Sequence, residues 1–169
     1  MLVLGRSGSA GTEKGAMPVL RDDAVVAVLR ASNWREAATA VVGDREWLFA
    51  KRKGELTARW AAEPEESARL RARQKSFWRS SWTVDLAGTI VDVEKASFWK
   101  GSHRYRSGGR LVGESGNTGG WSPRPTFTGD PSMPLDQQAF LLWLEFVIGR
   151  RNNAAVAGAT GAAVIGGTS

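Results

Sequence analysis

The stretch PLDQQAFLLWLEFVIGRR, residues 134–151, decides the fold of this chain. Its interior contains no proline, while Pro134 suits the start of a helix and Asp136 suits the first turn. The two closing arginines suit the last turn, so the pattern predicts a helix over residues 134–151. Residues 139–148 are apolar on nearly every face of that helix. A helix that is apolar all round must be surrounded by protein or by lipid.

The apolar part of this helix is too short to span a membrane. It covers ten positions and contains Glu145, whereas a spanning helix needs about 20 apolar residues. The Ala/Gly-rich stretch after Asn153 offers little burial per residue, and the first residues show no apolar signal-peptide core. We therefore expect no transmembrane segment and a cytoplasmic protein, with peripheral contact to a membrane left open.

Upstream of the helix, short β-type segments alternate with turn residues. Leu56, Ala58 and Trp60 recur at period two, which is typical of a strand with one buried face. Residues 76–91 and 97–112 form a weak repeat at a spacing of 21, with SFWR matching SFWK and Gly88 matching Gly109. The repeat predicts two similar hairpins in succession, each beginning with an aromatic pair and closing on a glycine turn.

Together these patterns predict an all-β antiparallel β-barrel wrapped around a buried hydrophobic C-terminal helix, because closure removes exposed strand edges. Residues 1–23 are Gly-rich and predict a flexible leader, residues 24–151 the barrel with its helix, and residues 152–169 an Ala/Gly-rich tail. Residues 63–75 are highly charged and predict a long solvated loop. The predicted core plug of the helix consists of Leu141, Leu142, Trp143, Phe146 and Val147.

The hairpin series from Glu46 to Ser115 and the closing segment PLDQQAFLLWLEFVIGRR resemble the tubby C-terminal-like superfamily. That superfamily includes tubby proteins, phospholipid scramblases and LURP-one-related proteins, and the resemblance covers about residues 24–151. It implies a barrel of about a dozen antiparallel strands around a hydrophobic C-terminal helix. The chain lacks a clear phosphoinositide-binding motif, a cysteine cluster and a calcium loop of the EF-hand type. The resemblance therefore implies the fold and not the function.

Composition excludes several kinds of active site. The chain has no cysteine and one histidine, His103, so thiolate zinc sites, cysteine nucleophiles and two-histidine metal sites are excluded within one chain. His103 follows an aromatic pair and is expected to be an ordinary strand residue. Neither a nucleophile elbow nor a phosphate-binding P-loop is present. We expect a protein that is not an enzyme and that holds no metal or cofactor.

The charge balance indicates an anionic partner. Lys and Arg number 23 against 17 Asp and Glu, giving a net charge of +6, and the excess lies between residues 24 and 131. Such a surface suits phosphate groups, although it also serves solubility alone. The basic residues of the first hairpin turn and of the loop after it would form one patch if both lay at the same barrel end. The candidate lipid-binding residues are Arg45, Lys51, Arg52, Lys53, Arg69, Arg71, Arg73 and Lys75.

The function expected from this pattern is binding without catalysis. The partner is either anionic phospholipid at a membrane surface, met by Lys and Arg side chains, or another protein. A structural module and a nucleic-acid binder are the alternatives, and no RRM, OB or helix-turn-helix pattern favours nucleic acid. Trp47, Phe77 and Trp78 are expected in the core rather than at an interface. The sequence does not indicate an oligomeric state.

Overall fold

The computed structural model describes residues 1–32, 35–76, 81–97 and 101–162. Within these residues the chain forms a closed barrel of twelve antiparallel strands in sequence order, with β1 placed between β12 and β2. One helix, α1, follows the last strand, so the predicted fold class is confirmed. The elements are β1 Leu2–Leu4, β2 Met17–Arg21, β3 Ala24–Ala31, β4 Ala37–Val42, β5 Arg45–Arg52, β6 Glu55–Trp60, β7 Leu70–Ser76, β8 Ser81–Leu86, β9 Thr89–Ser97, β10 Ser102–Ser107, β11 Arg110–Asn117, β12 Pro125–Gly129 and α1 Leu135–Ala162.

The first half of α1 forms the centre of the core. Strand residues that alternate inward meet helix residues that are buried on all sides, with Phe140 to Leu144 no more than 1% exposed. The ring of Phe49 lies 5.6 Å from Phe140 and 5.1 Å from Trp143, which fixes the depth of the helix inside the barrel. The predicted core plug is confirmed except at Phe146, which is only half-buried because its side chain lines the cavities on both sides of α1.

The prediction of a flexible leader over residues 1–23 is wrong, because β1 and β2 are strands of the barrel. Leu2, Leu4 and Val19 are buried in the common core. A three-residue strand carries almost no periodic signal, and barrel closure supplies its hydrogen-bond partners on both edges. Gly5 follows β1 where the backbone touches Pro18, and a Cβ there would lie 2.5 Å from the proline ring.

The predicted loop over residues 63–75 is correct only as far as residue 69. Leu70 and Ala72 are buried, and they alternate with exposed Arg71 and Arg73 along β7. Because the exposed positions of this alternation carry charged side chains, the period-two pattern of apolar residues is difficult to recognise in the sequence. Arg71, Arg73 and Lys75 are therefore outward-facing strand residues and not loop residues.

The predicted boundary between helix and tail is also wrong. α1 runs to Ala162, so the tail predicted to begin at residue 152 is helical over its described part. Alanine is the strongest helix former, and no proline interrupts the stretch. Residues 152–158 are exposed, which places them outside the barrel.

The up-and-down topology gives the barrel two distinct ends. Odd-numbered strands end where α1 leaves the barrel, called here the helix-exit end, and even-numbered strands end at the opposite, helix-start end. The predicted glycine turns of the repeat are confirmed at the helix-start end, where Gly88 and Gly109 have φ of 98° and 83°. The aromatic pairs of that repeat, at residues 77–78 and 98–99, lie outside the described residues.

Candidate functional site

The structure does not bring the eight predicted binding residues into one patch. Arg45 and Arg69 lie at the helix-start end, whereas Lys51, Arg52 and Lys53 lie at the helix-exit end. The reason is that the turn before β6 and the loop after β6 lie at opposite ends of one strand. The remaining three, Arg71, Arg73 and Lys75, follow β7 along the outside of the barrel.

Five of these eight residues are neutralised by carboxylates. Four of the distances lie between 2.6 Å, for Lys75 to Asp92, and 3.7 Å, for Arg71 to Glu55, and the fifth residue, Arg69, is in close contact with Glu63. Pairs at the surface contribute little to stability because solvent screens them, but each reduces the positive potential that an anionic partner would meet. The pairs are Lys51–Glu36, Arg52–Glu65, Arg69–Glu63, Arg71–Glu55 and Lys75–Asp92.

Arg45 and Arg69 have a structural use at the helix-start end. Their guanidinium carbons lie 4.4 Å and 3.5 Å from the centre of the Trp60 ring. Trp60 in turn makes an edge contact with Trp47, which is 3% exposed, so the expected core use of Trp47 is confirmed. Cation–π contacts of this kind stabilise the packed Trp60 ring. The two guanidinium groups are therefore less available to an anionic ligand.

Charge is instead divided between the two barrel ends. The connections that leave the helix-start end carry one basic residue, Arg69, and seven acidic ones. The described connections at the helix-exit end carry five basic residues against two acidic ones, and α1 adds Arg150 and Arg151 there. The acidic residues of the helix-start end are Asp22, Asp23, Asp44, Glu63, Glu65, Glu66 and Asp130.

Six cationic residues around the point where α1 leaves the barrel form a surface that we call the helix-exit surface. In the described part of the chain, no ion pair is formed by the five of them that precede the helix. Trp121 lies in the connection between β11 and β12 at the same end and is fully exposed. The residues of the helix-exit surface are Arg6, Lys14, Arg35, Lys53, Arg124 and Arg150.

The helix is clamped to the barrel beside this surface. Arg151 donates from Nη2 to Glu36 Oε2 at 2.7 Å and from Nη1 to Gln74 Oε1 at 3.2 Å, and it lies 5.0 Å from the ring of Trp82. The hydrogen bonds from Arg151 hold the pKa of Glu36 below its ordinary value, against the opposing effect of burial. The neighbouring Arg150 donates from Nη1 to the backbone carbonyl of residue 32 at 3.1 Å.

Opposite the clamp, a cavity of about 450 Å³ opens between α1 and the wall formed by β1, β2, β11 and β12. Its apolar lining includes Leu4 and Met17, and its cations are Arg6, Arg124 and Arg150. One helix carboxylate, that of Glu145, is its only acidic group among the described lining residues. We call this space the mouth cavity.

A second cavity of about 440 Å³ lies on the outer face of strands β3 to β6. All three of its guanidinium groups are already occupied. Arg30 pairs with Glu13 and Arg52 with Glu65, and Arg59 donates to backbone carbonyls, including Trp60 O at 3.2 Å. It therefore offers a ligand less free charge than the mouth cavity does.

A buried polar trio lies at the inner end of the mouth cavity. Nδ1 of His103 is 3.1 Å and 3.0 Å from the two carboxylate oxygens of Glu145, and the Tyr105 hydroxyl donates to Glu145 Oε1. The side chains of His103 and Glu145 are 3% and 5% exposed. Burial, with the adjacent negative charge of Glu145 as a second cause, raises the pKa of Tyr105 well above its ordinary value.

The trio joins α1 to β10, because Glu145 lies on the helix and its two partners lie on the strand. Ser115 is a nearby hydroxyl, and its Oγ accepts from the backbone N–H of His103 at 2.9 Å. Sequence reasoning placed His103 correctly on a strand and missed its partner. The available signal was a lone carboxylate within an apolar helix, together with two polar residues at period two in β10.

Comparison of the chain with known protein families, with curated proteins and with solved structures gives no match. The described residues contain no group of three or more His, Cys, Asp or Glu side chains placed to hold a metal ion. Over the same residues, no helix combines the length and the apolar character needed to cross a membrane.

Proposed function

We propose that this protein is a non-enzymatic binding domain that docks on an anionic phospholipid surface through the helix-exit surface. The observation that carries the proposal is the division of charge between the barrel ends. Acidic connections lie at one end, and the described connections of the other end hold five cations that form no ion pair with a described residue. Each Lys or Arg near an anionic membrane contributes about 1 kcal/mol, so cations gathered on one face act together.

Two neighbouring features support the same orientation. Trp121 exposes its whole ring at the helix-exit end, and tryptophan is enriched at the level of lipid headgroups because its ring is amphipathic. The exposed part of α1, residues 152–158, leaves the barrel at this end as well. The proposal thus keeps the predicted partner and moves the contact from the two basic loops to the helix-exit surface.

We also propose that the chain is a distant member of the tubby C-terminal-like superfamily. Support comes from the twelve strands counted in the described residues and from the apolar C-terminal helix inside them.

The test is co-sedimentation with vesicles of phosphatidylserine and phosphatidylcholine against vesicles of phosphatidylcholine alone. The variant Arg35→Glu/Lys53→Glu reverses two exposed cations of the helix-exit surface. The matched control Arg106→Glu/Arg110→Glu makes the same change of net charge at the helix-start end. Only the first variant is expected to lose binding, by at least about tenfold, since two contacts of about 1 kcal/mol each are reversed.

Several outcomes would overturn the proposal. Equal loss in both variants would mean that net charge alone attracts the protein. Binding to neutral vesicles would exclude an electrostatic contact. Duplex DNA that displaces the protein from the vesicles, with a steep dependence on salt, would favour the nucleic-acid alternative.

A further inference from the structure

The mouth cavity combines two kinds of recognition in one space. Among the described residues, the guanidinium groups of Arg6 and Arg124 reach no hydrogen-bond or ion-pair partner, although both residues line the cavity. Arginines outside the cavity, such as Arg69, Arg104 and Arg151, are each held by a carboxylate. Unpartnered guanidinium groups at one cavity suit a phosphate, because the planar fork of a guanidinium can pair with two phosphate oxygens.

At the inner end of the cavity, the carboxylate of Glu145 can accept a hydrogen bond from a ligand. Oε1 of Glu145 accepts from Tyr105 and lies near His103, whereas Oε2 faces only His103 among the described residues. An ionised carboxylate offers about four acceptor positions, so Oε2 retains capacity for another donor. An acyl chain would leave that capacity unused and place methylene groups against a carboxylate, which is unfavourable.

The length of the cavity matches a small ligand that is polar at both ends. Glu145 and Asn152 both line it and lie two helical turns apart, roughly 10 Å along the axis. A phosphate at the arginines and a hydroxyl or ammonium group at Glu145 would use the polar groups at both ends of the cavity. The apolar side chains of Leu4 and Met17 also line the cavity, on the barrel side.

We propose that the mouth cavity binds one small phosphate ester that carries a hydroxyl or ammonium group, with the phosphate on Arg6 and Arg124 and the donor on Glu145. The same chemistry occurs in a phospholipid headgroup and in a free phosphomonoester. The proposal goes beyond membrane docking, because a soluble ester would fill the cavity without a membrane.

The experiment is isothermal titration calorimetry of the full chain at low salt. The probes are phosphoethanolamine, glycerol 3-phosphate, inorganic phosphate and octanoate, with dihexanoyl phosphatidylethanolamine below its micelle concentration as the lipid arm. We expect the two esters to bind at least about tenfold more tightly than inorganic phosphate, because one further charge-assisted hydrogen bond is made. Tighter binding of the short-chain lipid than of phosphoethanolamine would identify a lipid headgroup, and the reverse would identify a free ester.

Variants assign the two ends of the ligand. Arg6→Gln/Arg124→Gln changes two side chains at the opening and should weaken every phosphate probe by about tenfold or more. Glu145→Gln should remove the preference for esters over inorganic phosphate while binding of phosphate itself persists. Arg104→Gln, on the outside of β10, is the control and should bind as the wild type does.

The proposal is overturned if no probe shows saturable binding, if octanoate binds better than the esters, or if Arg6→Gln/Arg124→Gln binds as tightly as the control. Should Glu145→Gln fail to fold, the arginine variant and the ranking of the probes still decide the matter. The variant Arg35→Glu/Lys53→Glu leaves the cavity intact and should keep ester binding. Loss of vesicle binding with retained ester binding would therefore separate the two proposals.

Discussion

Replacing Tyr105 by Phe should remove a specific, pH-dependent part of the stability of the fold. Tyr105 is the only tyrosine in the chain and is fully buried in β10, where its hydroxyl donates to the carboxylate of Glu145. The substitution deletes one oxygen and leaves the ring, which packs at 5.1 Å against Phe127, in place. The experiment therefore isolates the hydrogen bond.

The expected loss follows from the kind of hydrogen bond removed. Bonds to charged groups contribute about 1.5–3 kcal/mol, and Glu145 keeps the contact with His103 at 3.0 Å. We expect Tyr105→Phe to lower the free energy of unfolding by about 2 kcal/mol at neutral pH. The same substitution in a Glu145→Gln background should cost less, since the acceptor is then neutral.

The sign of the pH dependence is fixed by the direction of the pKa shift. Because the pKa of Tyr105 is raised in the folded state, its contribution is fully present below the ordinary tyrosine value of about 10 and is lost as the pH rises above it. The advantage of the wild type over Tyr105→Phe should therefore shrink in strongly alkaline solution.

Urea denaturation of both proteins across the alkaline range measures this difference. Ultraviolet difference absorbance of the phenolate reports on the one tyrosine directly and should stay silent until the chain unfolds. A phenolate signal from folded protein near the ordinary pKa would refute the buried hydrogen bond. If the stability difference between the wild type and Tyr105→Phe grew with rising pH, the predicted direction of the pH dependence would be refuted.

Three further predictions use the same measurement of unfolding free energy. Trp143→Ala should lower the free energy of unfolding by about 3–5 kcal/mol, because it opens a cavity in the core, whereas Phe146→Ala should lower it by less than about half of that, because Phe146 is half-buried. Equal losses in the two variants would contradict the placement of the helix. Glu36→Gln should lower the free energy of unfolding by about 1 kcal/mol at neutral pH. Because Arg151 lowers the pKa of Glu36 in the folded state, this loss should vanish in acid, where the carboxylate is protonated. A stability difference between the two proteins that persists in acid would count against the contact between Arg151 and Glu36. Gly5→Ala should destabilise the barrel by about 1–3 kcal/mol, because a Cβ there meets a proline ring, and an unchanged midpoint would contradict this close approach.

The architecture could be predicted from the sequence because the two decisive signals are strong. An all-round apolar helix after a series of period-two segments leaves few solutions other than a closed barrel around that helix. The predicted element boundaries were wrong where the local sequence pattern is short or is obscured by charged residues. β1 has three residues, and in β7 the outward charges of Arg71, Arg73 and Lys75 obscure the buried partners Leu70 and Ala72. In each case pairing with neighbouring strands decided the structure.

The buried trio of His103, Tyr105 and Glu145 could not be predicted from the sequence, for a different reason. His103 and Glu145 lie 42 positions apart, and only the rotation of α1 inside the barrel brings them within 3.0 Å. A carboxylate in an apolar helix signals that some partner exists, because an unpaired buried charge is costly. It does not indicate which strand supplies the partner.

The division of charge has a topological origin that local sequence cannot display. Consecutive connections of an up-and-down barrel lie at opposite ends, so charges that alternate in sign along the chain separate in space. Asp22 and Asp23, then Arg35, then Asp44, then Lys53 follow this rule through four successive turns. Grouping basic residues by their distance in sequence joined turns that belong to opposite ends. Grouping every second connection instead collects the cations around the exit of α1, where the mouth cavity also opens.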